Sequence, residues 1–436
     1  MKKCTTVFVG MMMAAAATVA AETISEESLL SSHENRDAYT PAVAYGKDMY
    51  LIVWQSGRFG EGDLRKGFEG LGIGDIVGCR VDKSGKPLDA KPFVICGAKD
   101  LQEHPKVVFA PSTGSGQGNG VFLVVWHDLR PSAGSGQASG KDWDVYAARV
   151  SPEGKVLDVD GFLVAGGLNN QACPRVTFDG KDFVVVWQDF RSNSLYESYG
   201  ARVSSDGKVL DAQGVLIQSG KGGWGYHCEL PAAASPGGGR SLLLWLGQTC
   251  FSGAGAPTAG TAIFVDGKAT PAASFKEKDH GPGTASSPAC LAAGKSAFLA
   301  VWRTDSTGGR GNAPNASSAM VLDADGKLVK RLHVAGGTRI QAPDATWDGT
   351  SFVAAWHQSM MAKANASPYH GVFLARVSEA GEPIGAVQSI SGTFASPAAE
   401  PGVASDGAGT TAIVYEKHPE KSDVPIRIGL RVLGAK

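Results

Sequence analysis

The chain has 436 residues, of which 43% are hydrophobic and 19% charged, with 58 glycines, so it is long enough for a large core. A formal net charge of −1 gives no basic surface of the kind nucleic acid requires. Beyond the N-terminal segment no apolar run approaches the length of a membrane span.

The N-terminal segment reads as an export signal. Lys2 and Lys3 supply a positive start, Thr5 to Val19 is apolar and small, and Val19 and Ala21 stand at −3 and −1 of a cleavage site before Glu22. Residues 1–21 are therefore expected to be a signal peptide cut after Ala21, and the mature protein to be secreted or periplasmic. An anchoring helix is the alternative, but the run is short for a span. Of seven cysteines, Cys4 falls in this segment, leaving Cys79, Cys96, Cys173, Cys228, Cys250 and Cys290. Oxidising surroundings favour disulfides. Cys228 and Cys250 fall at one end of the same repeat unit and form the first expected pair. No cysteine pair has the spacing of a zinc site.

From residue 22 onward the chain is repetitive. Strands ending in an aromatic recur: "YLIVW" to Trp54, "FLVVW" to Trp126, "FVVVW" to Trp187, "SLLLW" to Trp245, "FLAVW" to Trp302, "FVAAW" to Trp356 and "TAIVY" to Tyr415. Each follows a short strand opened by proline, near residues 41, 105, 174, 231, 288, 343 and 401. Downstream comes a third strand such as "YAARV" to Val150, a turn such as "SPEGK" at Ser151, and a fourth strand. Four antiparallel strands per unit, at a period of about 55 to 70 residues, predict an all-β fold: a seven-bladed β-propeller spanning 22–436. A β-solenoid is the alternative, with a repeat that is usually shorter.

The seventh unit lacks a fourth strand, and "TISEESLL", Thr23 to Leu30, has no blade of its own. This N-terminal segment is expected to close the last blade as its outer strand. The tryptophans read as core rather than sugar platforms. Arg80, Arg149, Arg202, Arg376 and Arg431 recur at one place in the third strand, which argues for a structural role beside a repeated carboxylate.

Strand alternation sends the connections after second strands, and those between blades, to one rim. His33, His104 and His227 fall before first strands. His127 and His357 follow second strands. Loops on a rigid scaffold are where binding usually resides. The expected ligand-binding set on that rim is His33, Arg58, Asp128, Asp189, Arg191, Trp224, His227, Arg303 and His357.

The pattern P-x-V-x-x-D-G-K-x-F-x-V-V-W-x-D-x-R … A-R-V-x-x-x-G-K-V-L-D, clearest from Pro174 to Asp211, resembles the repeats of secreted bacterial β-propeller proteins. The resemblance implies fold and export and no particular activity. The sialidase Asp-box is absent, because "SSDGKVL" at Ser204 lacks its spacing and its tryptophan.

Two functions fit these residues. The first is a secreted binding module or scaffold holding a polysaccharide or an extracellular protein on the rim. The second is a lyase acting on an acidic, uronate polysaccharide. It would use His127 or His104 as base, Tyr226 as acid and Arg130 as carboxylate clamp. A divalent metal held by rim histidines is a variant of the second reading, whose cofactor is otherwise unknown.

Overall fold

The computed structural model describes residues 23–30, 32–57, 74–112, 120–130, 142–219, 226–249, 259–275, 284–285, 289–305, 316–336, 338–361, 368–393, 395–421 and 423–434. Every named element is a β-strand, and the strands form seven small antiparallel sheets of one four-stranded plan, a seven-bladed propeller. Blade 2 is typical, with strands Gln102–Ala110, Val121–Asp128, Asp144–Val150 and Phe162–Ala165 in sequence order across the sheet.

The second strands are buried along their length because both faces meet another blade. In blade 3, Phe183, Val185 and Trp187 pack against blade 2, while Val184 and Val186 pack against blade 4. The period-two alternation of a strand thus feeds two seams rather than a core and a solvent face. Seven apolar clusters result, one between each pair of neighbouring blades, and the last joins Val414 and Leu430 of blade 7 to Ile52 and Trp54 of blade 1.

The tryptophans close these seams as expected. Trp54, Trp126, Trp187, Trp302 and Trp356 are almost wholly buried. Trp126 stacks on Tyr146 at 6.5 Å and Trp187 on Tyr199 at 6.4 Å, each on the neighbouring third strand. Gly161 shows how tight the fit is: with φ at +75°, it lies so close to the Trp126 ring that a Cβ there would fall 2.4 Å from it.

The repeated arginines take the structural role read from their recurrence. Arg80 pairs with Asp89 at 2.6 Å, Arg149 with Asp158 at 2.8 Å and Arg202 with Asp211 at 2.9 Å. Arg80 also donates to the Pro152 carbonyl at 3.0 Å and so reaches the turn of the next blade. Arg376 pairs with Asp348 instead, and Arg431 donates to the Ser25 carbonyl at 2.8 Å.

That last contact belongs to the ring closure. Thr23–Ile24 and Ser28–Leu29 pair antiparallel with Arg427–Gly434, so this N-terminal segment supplies the outer strand of blade 7. Between them Glu27 accepts from Tyr415 Oη at 2.7 Å and from the Ser391 hydroxyl, with Lys417 Nζ 3.4 Å away. This is why the seventh unit ends in tyrosine: its hydroxyl donates to the clasp.

The expected disulfides find no pair among the described residues. Among the described residues Cys79, Cys96, Cys173 and Cys290 are free thiols. Cys79 and Cys96 lie on adjacent strands, but the register sets Ile76 opposite Cys96, which keeps the two sulfurs apart. The side chain of Cys228, all of Cys250 and the signal segment lie outside the described residues.

Burial alone would raise the Glu27 pKa, but the hydrogen bonds from Ser391 and Tyr415 and the charge of Lys417 outweigh it and hold the carboxyl below its ordinary value. A lowered acid stabilises the fold above its unfolded pKa and ceases to do so as pH falls through the folded value. Glu27→Ala is therefore expected to lower the unfolding free energy by about 1–3 kcal/mol at neutral pH. In urea titrations that gap should close below about pH 4. A gap that stayed constant down to pH 3 would contradict an ionised clasp.

Candidate functional site

The site begins with proline. A proline inside a ladder has no N–H to give, and a bulge accommodates it. In six blades the pairing between first and second strands slips at this point, between Tyr39 and Ala42, Glu103 and Lys106, Ala172 and Arg175, Glu229 and Ala232, Gln341 and Asp344, and Ala399 and Gly402. The residue before the proline takes positive φ: 48° at Thr40, 55° at His104, 55° at Cys173, 43° at Ala342 and 48° at Glu400. Such backbone is unfavourable for these residue types by about 1–2 kcal/mol, so something must hold it.

At Cys173, Glu400 and Thr40 a hydrogen bond across the seam holds it. The bulge N–H of Cys173 donates to His127 Nδ1 at 3.2 Å, that of Glu400 to His357 Nδ1 at 3.0 Å, and that of Thr40 to Glu416 Oε1 at 2.8 Å. All three acceptors occupy one place, directly after the repeated aromatic in the second strand of the preceding blade. A glutamate can only accept there, and the two histidines do the same work. His127 and His357 are 6% and 3% exposed. They were expected as a base and a ligand group. Instead they latch blades together, with one ring nitrogen committed to the backbone.

The latch sets the tautomer. Burial lowers the His127 pKa, while Cys173 and Glu103 outweigh it and raise it to about 9; the Cys173 backbone N–H aimed at Nδ1 works the other way, since only a neutral ring can accept it. A ring protonated at both nitrogens cannot accept, so Nδ1 carries the lone pair and Nε2 the proton, facing Glu103 at 3.7 Å. Glu103, His104 and His127 bring one donor atom each within 4.8 Å of one another, the spacing of a metal site. The donor set does not fit one: Nε2 of His127 holds a proton where a metal needs a lone pair. The expected divalent metal finds no seat in this trio.

The bulge also aims side chains into the middle of the ring. The first strands of all seven blades wall a central cavity of about 440 Å³. Directly after the proline stand Ala42, Lys106, Arg175, Ala232, Ala289, Asp344 and Gly402. Four are small and three are charged. No hydrogen bond or ion pair engages the side chain of Lys106 or Arg175 among the described residues. Burial first, then the nearby Arg175, pushes the Lys106 amine down to about 8. Just before the proline, His104 and Glu400 stand at the mouth. Burial, and Glu416 behind it, push the Glu400 carboxyl up to about 7. His104 meets channel water yet is ringed by protein; burial first, with the basic groups around it, pushes its pKa down, so it is neutral at pH 7. His104 and His127 lie 5.1 Å apart, which places both at the same rim, as strand parity required.

Other expected residues lie elsewhere. Asp128 and Asp189 are fully buried. Each accepts from its tryptophan, Trp126 Nε1 at 2.9 Å and Trp187 Nε1 at 2.8 Å, and each pairs at 2.6 Å with Arg130 or Arg191. Those arginines lie 4.2 Å over Tyr146 and Tyr199 and donate to the Asp160 and Gln213 carbonyls before the fourth strands. The W-x-D-x-R motif is a stitch from second to fourth strand. Arg130 is thus no clamp for substrate, because its contacts are already made. His33 sits 4.0 Å from Glu34, and its carbonyl closes a turn to the Arg36 N–H. Arg58 and Trp224, and the side chains of Tyr226, His227 and Arg303, lie outside the described residues. Lys106, Arg175, Asp344 and Glu400 were missed, though the sequence held their signal: they flank the recurring proline.

Fold and site together define a seven-bladed β-propeller with a charged channel mouth. A solved protein of unknown function from Dyadobacter fermentans shares this fold, at 12% identity over 95% of this chain and 99% of that one, with a TM-score of 0.51. An α-L-arabinofuranosidase from Fusarium graminearum aligns at 9% identity over 94% and 97%, with a TM-score of 0.47. An α-L-arabinanase from Penicillium chrysogenum aligns at 11% over 76% and 98%, with a TM-score of 0.44. The first likeness is one of fold, and at the lower scores the other two carry nothing further. No family model matches the chain, and no curated protein matches it.

Replacing His127 by Ala leaves the Cys173 N–H without its acceptor and is expected to lower the unfolding free energy by about 1–3 kcal/mol. His127→Gln, which places a side-chain carbonyl acceptor at the same position, should recover most of it. Equal urea midpoints for the two variants would count against the latch.

Proposed function

We propose that the chain is an exported binding propeller that takes an acidic polysaccharide at the mouth of its central channel. One observation carries this reading: Lys106 and Arg175, on neighbouring blades, enter a cavity of about 440 Å³ with no internal anion engaged to either. Cations held partly out of water without a partner favour an external carboxylate or sulfate, and a guanidinium can grip either in bidentate fashion. A cavity of this size admits a narrow chain or a single side group but not a folded domain, which supports a polysaccharide over a protein partner at the channel itself. Export follows the signal segment and remains part of the proposal.

The lyase reading is weaker in its expected form. A lyase needs base, acid and clamp meeting at one atom. Arg130 is stitched into blade 2 and His127 is committed to Cys173. Among the described members of that set, His104 alone stands open at the mouth.

Affinity electrophoresis in gels containing polygalacturonate tests the proposal. Retention is expected for the parent protein, and a Lys106→Ala, Arg175→Ala double variant should lose it by a factor of ten or more, about 1.4 kcal/mol. With the Lys106 pKa near about 8, affinity should fall as pH rises through that value, because the amine loses its charge. Retention unchanged in the double variant would contradict the site. Appearance of the ultraviolet absorbance of an unsaturated uronate would replace binding by the lyase reading.

A further inference from the structure

The wall facing the two cations is acidic. Around the ring, blade 6 lies three blades from both blade 2 and blade 3, and blade 7 lies three from blade 3 and two from blade 2. Asp344 of blade 6 stands at the position after its proline, and Glu400 of blade 7 at the position before its own. Asp344 is held in place: the Val403 N–H donates to it at 2.9 Å and the Cys290 thiol lies at 3.4 Å. The Glu400 carboxylate accepts no hydrogen bond among the described residues. Its nearest basic atom, His357 Nδ1 at 3.9 Å, has its lone pair taken by the Glu400 N–H itself.

The opposed groups sense one another. Lys106 is influenced by both Asp344 and Glu400, and Glu400 by both Lys106 and Arg175. Yet no ion pair joins the two walls among the described residues. Lysine and arginine have long side chains and would close onto a carboxylate within reach. Other acids of the mouth are occupied: Glu103 accepts from Gln55 Nε2 at 3.1 Å, and Glu416 holds the Thr40 N–H at 2.8 Å. What remains is two basic side chains on one wall and two carboxyl groups on the other, with space between them.

A pure anion would satisfy Lys106 and Arg175 but bring its charge toward Glu400 and Asp344. A ligand with charges of both signs would satisfy both walls. We infer that the group bound in the channel is zwitterionic, with its carboxylate or sulfate toward Lys106 and Arg175 and an ammonium toward Glu400 and Asp344. This rests on the polysaccharide reading above for its anionic half and adds the cationic one. The chemistry is shared by a saccharide unit that joins a free amine to a uronate and by a free amino acid.

Isothermal titration with a matched pair of probes separates these cases. One probe is an oligosaccharide of alternating glucosamine and uronate, and the other is the same oligosaccharide with every amine acetylated. Acetylation removes the ammonium and keeps the carboxylate. The free-amine form is expected to bind about tenfold more tightly or better, and in Glu400→Gln the ratio should collapse toward one. Glycine and lysine form the third arm. If they bind, lose affinity in Glu400→Gln, and neither oligosaccharide binds, the zwitterion inference holds with a small-molecule source and the polysaccharide reading fails. If the acetylated probe binds as well as the free amine and Glu400→Gln changes nothing, the zwitterion inference is overturned and the acidic-polysaccharide reading stands. Binding of no probe overturns both.

Discussion

A single displaced N–H organises this propeller. Proline in the first strand cannot take part in the ladder, the strand bulges, and the residue before it swings to positive φ with its N–H facing the preceding blade. There the position after the Trp or Tyr meets it with an acceptor, His127, His357 or Glu416. The same bulge sends the residues on either side of the proline to the channel and its mouth. Cohesion between blades and composition of the channel are therefore set by one local feature.

This coupling separates scaffold from site. Devices that recur, such as the strand-three arginine with its aspartate in blades 1 to 3 and the Trp–Asp–Arg stitch in blades 2 and 3, pair within the scaffold. Departures from the repeat carry the chemistry. At the position after the proline four blades have a small residue, and three have Lys106, Arg175 and Asp344. Before it, Glu400 and His104 stand where the other blades have threonine, cysteine, leucine, serine and alanine. A repeat protein builds a unique site by varying one position of a common frame.

The architecture was largely legible in the sequence, because it rests on features with a period. The aromatic-ended strands, the turn glycines and the missing fourth strand of the last unit led to the blade count and to closure by Thr23–Leu30. The rim was legible too, since four strands per blade fix which connections share an end. The site was not. A bulge inserts one residue, so the alternation that assigns side chains to faces fails just where Lys106 and Arg175 enter the channel. Histidine and W-x-D-x-R drew attention through their chemistry, but in a crowded seam an imidazole nitrogen or a carboxylate serves first to satisfy buried backbone and indole N–H groups.

The account stands most directly on which nitrogen of His127 and His357 bears the proton. Long-range proton–nitrogen correlation spectra of the labelled protein at neutral pH report this for each ring. Both are expected as neutral Nε2–H tautomers, with through-bond couplings from Nδ1 to the amides of Cys173 and Glu400. An Nδ1–H tautomer or an imidazolium at either residue would contradict the latch, and with it the origin assigned here to the channel's charged mouth.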